Sequence, residues 1–392
     1  MGESLPPADE FDFVSTRSGL TNQLTGRIGI MDPIWRRLVR VLLLVAIAWI
    51  PLLMLASISG HVTGLDVGIT LLRDPEVNCR FLIALPLLEL AEIAVAFSLA
   101  AQVRQFVESG IISEGQRERY QSILAGVRRR HHATTTEIVL YLAAVVGSLL
   151  MRLVILVDDS SSWERVGQVI TPAGWWQLLV SLPLLYFFLL RAVWVFVLWT
   201  WFLFQVSRLD LQLTATHPDH AGGLGFLGWG LAGFSPVVFS FAAIVSAGFA
   251  TEIFHRGESL DTLKYHLIVY VILITFVVHI PVLPFAIRLS QCRFQSLLEF
   301  SSLVWRHDRA FDKKWIHKPQ SQNHEPLLGT PDVQSLADIA TGYEHVNDMG
   351  VIPIDTKAAM VVVLASVIPM LPLIGTLIPL QEILAKLGEL LV

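Results

Sequence analysis

Seven long apolar stretches constrain the fold of this chain more than any other feature of its sequence. Each has about 18 residues or more, the length that predicts a helix crossing a membrane. A segment alone in lipid must satisfy its own backbone hydrogen bonds, and no stretch alternates like a barrel strand. We therefore predict an all-α, polytopic membrane helix bundle of six or seven transmembrane helices. The stretches lie at 38–58, 81–103, 138–157, 176–204, 229–250, 267–289 and 358–380.

The count is six or seven because Pro369, Pro372, Gly375 and Pro379 break the last stretch. Proline removes a backbone donor, and a broken helix at membrane depth needs protein or a water-filled cavity to receive its free carbonyls. Residues 358–392 are therefore predicted either to span the membrane or to re-enter it from one side, with an amphipathic C-terminus.

The composition supports a membrane protein and excludes several classes of partner. Hydrophobic residues make up 54% of the chain and charged residues 16%, against about 45–50% and ~25% in soluble domains. The lipid bilayer is the expected partner. A net charge of −5 provides no basic surface for nucleic acid. The segments between the stretches are too short for a soluble catalytic domain of ordinary size, and we predict no cofactor.

Basic residues predict the orientation. Twenty Lys and Arg lie in the N-terminal tail and in the loops at 104–137, 205–228 and 288–357, counting Arg40 at the edge of the first span, against five in the intervening loops. The positive-inside rule then places the N-terminus in the cytoplasm. The predicted divisions are a cytoplasmic tail at 1–37, a six-span bundle at 38–289 that includes cytoplasmic loop 104–137, a cytoplasmic helical segment at 290–357, and the final segment at 358–392.

The two longer cytoplasmic segments are predicted to form a small helical collar under the bundle. The first ends in the basic run RRRHH at 128–132. Such clusters beside a membrane are typical anchors to anionic lipid, with ligand binding as the second interpretation.

Four charged residues fall inside the predicted spans, where charges are rare and often functional. Glu89 and Glu92 are three residues apart and share a helix face. Counting about 1.5 Å per residue, Glu89 and Arg152 lie at one depth and Glu92 and Arg191 at another, deeper one. Two depth-matched pairs are thus predicted. They serve either as structural ion pairs, with Arg191 alternatively reaching the interface along its own helix, or as a polar transport pathway.

His279 is a further intramembrane ionisable residue, and it directly precedes a break at Pro281 and Pro284. An imidazole beside uncapped carbonyls suits proton or ion relay. The alternative interpretation is a core histidine bonded to a neighbouring carbonyl.

The loop sequence Thr216–Gly228, THPDHAGGLGFLG, is the most distinctive stretch. It has three interpretations. Asp219 could cap the next helix, with Gly222 and Gly223 supplying the turn. Alternatively, the loop could form a gate or ion-coordinating mouth. His217, Asp219 and His220 could also be weak candidate metal ligands, although one short loop rarely supplies a whole coordination shell.

The same loop, with the runs SLADIATGYEHVNDMGVIPIDTK and IPLQEILAKLGELL, resembles a family of uncharacterised bacterial multi-pass inner-membrane proteins that carry a THPD-x-AGGLGFLG loop. The resemblance covers about the last half of the chain. It implies a bacterial cell inner membrane location and no particular activity.

Small residues recur at four-residue spacing on two rows of the fifth span, which permits close helix contact within one protomer or between protomers. We predict a homo-oligomer on this basis. The rows are Ala242, Ser246 and Ala250, and Ala243, Ala247 and Thr251.

Broken helices, an acidic pair and a membrane histidine together predict a channel or transporter for a small ion or solute. A membrane-embedded metal-dependent enzyme using the HPDH loop is the alternative from another class, although no HExxH or GxSxG motif is present. A sensor or assembly subunit that does not transport is the third.

Overall fold

The computed structural model describes residues 33–59, 70–157, 162–166, 169–317 and 330–375. Most of the predicted N-terminal tail and the amphipathic C-terminus, from residue 376 onward, lie outside these ranges. Within the described part the chain is almost entirely helical, which confirms the predicted all-α class.

Seven helices are long and apolar enough to cross a membrane. They correspond one by one to the seven stretches of the sequence, and several extend well beyond them. The sixth is continuous over 57 residues, Leu260–Ile316, because its 3-10 segment Ile280–Phe285 joins two α-helices without a loop. The start of the predicted collar is thus a direct continuation of a membrane helix.

The helices are numbered in chain order. They are α1 Pro33–Ile58, α2 Pro75–Glu108, α3 Arg117–His131, α4 Thr134–Val157, α5 Pro172–Val206, α6 Gly225–Leu231, α7 Ser235–Arg256, α8 Leu260–His279, α9 Ala286–Phe311, α10 Pro331–Asn347, α11 Thr356–Val367 and α12 Leu371–Ile374. A short antiparallel hairpin, β1 Arg165–Val166 and β2 Val169–Ile170, precedes α5.

Side-chain caps and first-turn prolines define where two of the long helices begin. Asp74 accepts the backbone N–H groups of Glu76 and Val77 at 2.9 and 3.2 Å, and Thr171 accepts that of Gly174 at 3.1 Å. Proline follows directly in both cases, at a position where its missing N–H costs nothing. The sequence therefore specifies the first turns of α2 and α5 locally.

Helix α5 lies at the centre of the bundle and contacts α2, α3, α4 and the 3-10 segment Ile280–Phe285. Two large apolar cores pack along it, one near its start around Trp163 and Phe81 and one near its end around Trp199 and Phe202. Large apolar side chains cover the outside of the bundle, for example Phe97 at 78% exposure. Lipid is the solvent that accommodates such a surface.

The small-residue rows of α7 pack inside the chain. Ala242, Ala243 and Ala247 are buried, the Ser246 hydroxyl donates to the Pro369 carbonyl at 2.7 Å, and α7 contacts α2 and α11. These rows are therefore used within one protomer. The rows therefore do not support the predicted homo-oligomer, which stays a prediction.

The glycines of α6 let that helix approach its neighbours closely. The Ser98 hydroxyl donates to the Gly230 carbonyl at 2.9 Å, and a Cβ at Gly230 would overlap the buried Gln102 side chain. A Cβ at Gly228 would lie 2.7 Å from the Asp355 backbone nitrogen and 3.1 Å from the Pro353 carbonyl oxygen. Because the obstacle at Gly228 is backbone, a side chain there requires the segment before α11 to move.

Gly228→Ala should therefore lower the free energy of unfolding by about 2 kcal/mol, the usual scale of overpacking. Gly115→Ala is the matched control, since a Cβ at Gly115 meets nothing within 4 Å. Equilibrium unfolding in detergent micelles measures both changes. Equal stability of the two variants would show that α6 and the segment before α11 are not in the described contact.

Helices α9 and α10 form an antiparallel hairpin. At its tip the Asp332 carboxylate accepts from Lys314 at 2.6 Å and from the Trp315 indole at 3.0 Å. At its base Arg293 donates to the Asn347 carbonyl at 2.6 Å. This hairpin and α3 are the helices that the predicted collar comprises.

Candidate functional site

Two carboxylate–guanidinium pairs lie side by side within the helix bundle. Arg40 on α1 donates to Glu89 on α2, with 3.0 Å between Nη1 and Oε1. Arg191 on α5 pairs with Glu92 on α2, with 3.0 Å between Nε and Oε1. The Glu89 side chain is 5% exposed and that of Arg191 is 12% exposed. We call Arg40, Glu89, Glu92 and Arg191 the charge cluster.

The cluster forms because Glu89 and Glu92 are one helical turn apart and both face cationic neighbours. Arg37, one turn before Arg40 on α1, adds positive charge near both carboxylates. An unpaired charge at this depth costs several kcal/mol, whereas a paired one recovers much of that cost. The two pairs are thus the arrangement in which these four charges tolerate burial.

The structure shows the predicted contact between Glu92 and Arg191. The Glu89 carboxylate is bonded to Arg40 near the start of α1, and its predicted contact with Arg152 stays a prediction. The side chain of Arg152 lies outside the described residues. Arg40 is the functional candidate that the sequence prediction missed, and the available signal was its place one turn after Arg36 and Arg37 on a helix that begins at Pro33.

His131, the last residue of α3, lies beside the charge cluster. Its ring is 8% exposed, and together with Glu92 and Arg191 it lines a cavity of about 20 Å³, room for one water molecule. Its Nδ1 has no hydrogen-bond partner among the described residues. One member of the basic run at 128–132, His131, is therefore buried, while Arg129, Arg130 and His132 are exposed.

Burial lowers the pKa of His131 to about 4, with further lowering by His132 and Arg191. This imidazole is therefore neutral near pH 7. A neutral imidazole has one donor and one acceptor nitrogen, so it can take a proton on one side and release one on the other.

The same pKa predicts a pH-dependent stability. Below its ordinary pKa of 6.5 the unfolded chain binds a proton at this histidine, whereas the folded chain does so only near pH 4. The free energy of unfolding should thus fall as the pH drops through this window, by about 2 kcal/mol at pH 5 from this residue. Unfolding of wild type and His131→Gln at pH 7 and pH 5 measures the difference. His317→Gln, at an exposed site, is the control, and an equal pH dependence in all three proteins would contradict the burial.

His279 lies elsewhere, at the end of α8. Its Nδ1 is 2.7 Å from the carbonyl oxygen of Thr275, four residues earlier, and its ring is 8% exposed. This is the geometry of a core histidine bonded to its own helix. The charge cluster and His279 do not share a cavity among those described here.

In the Gly-rich loop the Asp219 carboxylate organises the turn. Its Oδ1 accepts the backbone N–H groups of Ala221 and Gly223 at 2.9 and 3.1 Å, and its Oδ2 accepts that of Gly225, the first residue of α6, at 2.8 Å. His217 Nδ1 lies 2.8 Å from Oδ1. Burial alone raises the pKa of Asp219, but these hydrogen bonds outweigh it, and the pKa lies below its ordinary value.

The rest of the loop follows from left-handed backbone angles. His220, Gly222 and Gly223 have φ values of 50°, 64° and 94°, a region that glycine adopts at little cost. The His220 carbonyl accepts the N–H of Gly350 at 2.7 Å, which ties the loop to the chain after α10. The loop also lines a cleft of about 620 Å³, together with Gln105, Trp229 and Asp355.

Of the three interpretations of this loop, the geometry matches the cap and turn. Asp219 directs both oxygens at backbone N–H groups. Among the described residues no group of three or more His, Cys, Asp or Glu side chains is arranged to hold a metal ion. His217 and His220 stand at the rim of the cleft, where a gating role remains a prediction.

Comparison with known proteins gives no relative from which to assign a function: no family model, curated protein or solved structure matches the chain. The resemblance of the THPDHAGGLGFLG loop to bacterial inner-membrane proteins therefore stays a prediction. What the chain shows by itself is a polytopic α-helical membrane protein with a buried charge cluster.

Proposed function

We propose that this chain is a membrane transporter for a small ion, and that the ion it moves is the proton. The observation that carries the proposal is the charge cluster, one pair of which shares a cavity with the buried imidazole of His131. Ionisable groups held inside a membrane bundle are typical of ion pathways and proton relays.

The energetics of burial support a functional role for the cluster. Replacing a buried ion pair by apolar side chains of similar volume is often neutral or stabilising. The two adjacent pairs, Arg40–Glu89 and Arg191–Glu92, therefore stabilise the fold little more than leucine side chains at the same positions would. Their value lies in being able to open, since protonation of either carboxylate releases its arginine.

Titratable side chains extend from the charge cluster to the exposed end of α3. Glu92 and His131 line one cavity, and the ring of His131 is 5.0 Å from that of the exposed His132, centroid to centroid. In the proposed cycle Glu92 takes up a proton and loses its contact with Arg191. The proton then passes through the cavity to the neutral His131, which releases one to His132 and the solvent, and Glu92 pairs with Arg191 again.

The proposal is a transporter rather than an open channel, because the cavity beside Glu92 has room for one water molecule only. Passage of a proton then requires the Glu92–Arg191 pair to open and to form again. The proposed setting is the bacterial inner membrane, with the N-terminus and the Gly-rich loop in the cytoplasm. The cleft beside that loop is then the cytoplasmic vestibule.

Proton movement into liposomes that contain the purified protein tests the role of Glu92. Under an imposed potential, Glu92→Gln should abolish the proton flux of the wild type. Because it also leaves the Arg191 charge without its carboxylate, the double variant Glu92→Gln/Arg191→Met, which carries neither charge, should likewise show no flux at a melting temperature nearer that of the wild type. Glu108→Gln is the matched control, at an exposed position at the end of the same helix. Wild-type flux in Glu92→Gln would refute the pathway.

A further inference from the structure

An apolar groove runs down the outside of the bundle between α5 and the 3-10 segment Ile280–Phe285. Its volume is about 680 Å³. One wall consists of Phe196, Trp201 and Phe204 of α5, and the other of Ile280, Leu283 and Pro284. The prolines explain the groove, because they convert this part of the long sixth helix to a 3-10 segment and change the surface that it presents to α5.

Three arginines from three different elements contact the C-terminal end of α5, where it forms or directly follows the aromatic wall of this groove. The guanidinium carbon of Arg130 on α3 lies 4.4 Å from the ring centroid of Trp201. That of Arg208, just after α5, lies 4.1 Å from the ring centroid of Phe204. Arg288, one turn after Pro284, donates from Nε to the carbonyl of Ser207 at 3.3 Å. All three side chains are exposed.

We propose that this groove binds an anionic phospholipid, with an acyl chain along the aromatic wall and the phosphate between Arg130, Arg208 and Arg288. The walls are apolar and open to the bundle surface that lipid covers, so the ligand must carry a hydrocarbon chain. These three cations contact the end of α5, beside one end of the groove, so the ligand must also carry a negative group at that end. Arginine stacked on an aromatic ring keeps its N–H fork free for phosphate oxygens.

The site is more specific than general attraction of basic residues to a membrane surface. Arg130 and Arg208 are held over rings that themselves line the groove. The side chains that would bind the phosphate are therefore in contact with those that would bind the acyl chain. The basic run at 128–132 is thereby divided, with His131 facing the charge cluster and Arg130 facing the lipid groove. The inference does not depend on the proposed transport activity.

Native mass spectrometry of delipidated protein, titrated with phosphatidylglycerol or phosphatidylcholine, tests the site. Wild type should bind phosphatidylglycerol in preference. The variant Arg130→Gln/Arg208→Gln/Arg288→Gln should bind it on the order of 100-fold more weakly, from a factor of about five for each arginine near the headgroup. The charge-matched control is Arg119→Gln/Arg306→Gln/Arg309→Gln, at exposed positions away from the groove, including an arginine that also stacks on a ring, Trp305.

A second variant separates the acyl chain from the headgroup. Leu283→Trp fills the groove and should weaken binding of both lipids, while its melting temperature in lipid-free detergent stays near that of the wild type. Equal phosphatidylglycerol binding by the arginine and control variants would overturn the proposal. Unchanged lipid binding together with a changed oligomeric mass in the arginine variant would also overturn it, and would assign the groove to a protein contact.

Discussion

Replacing Arg191 by methionine should lower the free energy of unfolding by about 3–5 kcal/mol, because it leaves the Glu92 carboxylate buried without its partner. Arg191 is 12% exposed and its Nε lies 3.0 Å from Glu92. This is the largest stability change that we expect from a single substitution in the membrane part of the chain.

The double variant Glu92→Gln/Arg191→Met should recover most of that loss, since neither remaining side chain carries a charge. Equilibrium unfolding in mixed micelles of the two single variants and the double variant gives the coupling energy. The same cycle on Arg40 and Glu89 should behave alike, because their contact is also 3.0 Å. A double variant as unstable as the sum of its singles would show that the residues are not paired.

Asp219→Ala should cost about 3 kcal/mol, from the loss of three charge-assisted hydrogen bonds of roughly 1 kcal/mol each. The backbone N–H groups of Ala221, Gly223 and Gly225 would all lose their acceptor. This exceeds the ~1 kcal/mol typical of a single helix cap, because one carboxylate here serves both the turn and the start of α6.

The pH dependence of that contribution follows from the lowered pKa of Asp219. The stabilisation is present above the ordinary pKa of 3.8 and is lost as the pH falls through the lower folded value. Asp261→Ala is the control, a 75% exposed carboxylate whose described ion pair is with Lys264, and should change stability by at most about 0.5 kcal/mol. Equal losses at Asp219 and Asp261 would contradict the capping role.

The seven helices could be predicted from sequence because their signal is local. A run of apolar residues long enough to cross lipid has only one way to satisfy its backbone, so lengths alone place α1, α2, α4 and α5. The true helix ends were harder to predict. The sixth helix continues from His279 to Ile316 through two prolines, since a 3-10 segment accepts Pro281 and Pro284 without a loop.

The candidate site was partly predictable for the same physical reason. Depth along a helix follows from counting residues, which is why Glu92 and Arg191 could be matched. Counting fails for side chains that reach the site from a span end or from outside the membrane. Arg40 lies near the start of α1, and His131 arrives because α3 packs back against α5, a tertiary contact that no periodicity of the sequence reveals.

At Asp219 the motif predicts the role of the residue but not the number of hydrogen bonds that its carboxylate accepts. The sequence TATHPDHAGG indicates a cap and a turn, since Asp and Gly are the residues that such turns need. That one carboxylate would accept three N–H groups depends on the left-handed angles at His220, Gly222 and Gly223. These angles are set jointly by the loop and by the hydrogen bond from Gly350, about 130 residues further along the chain.

Proton uptake by sealed liposomes that contain the purified wild-type protein, driven by an imposed potential and read from a pH dye inside, tests the proposed function most directly. The charge cluster and His131 predict acidification faster than in protein-free liposomes of the same lipid. They further predict that the difference disappears in Glu92→Gln. Equal rates with and without the wild-type protein would contradict a proton pathway through Glu92.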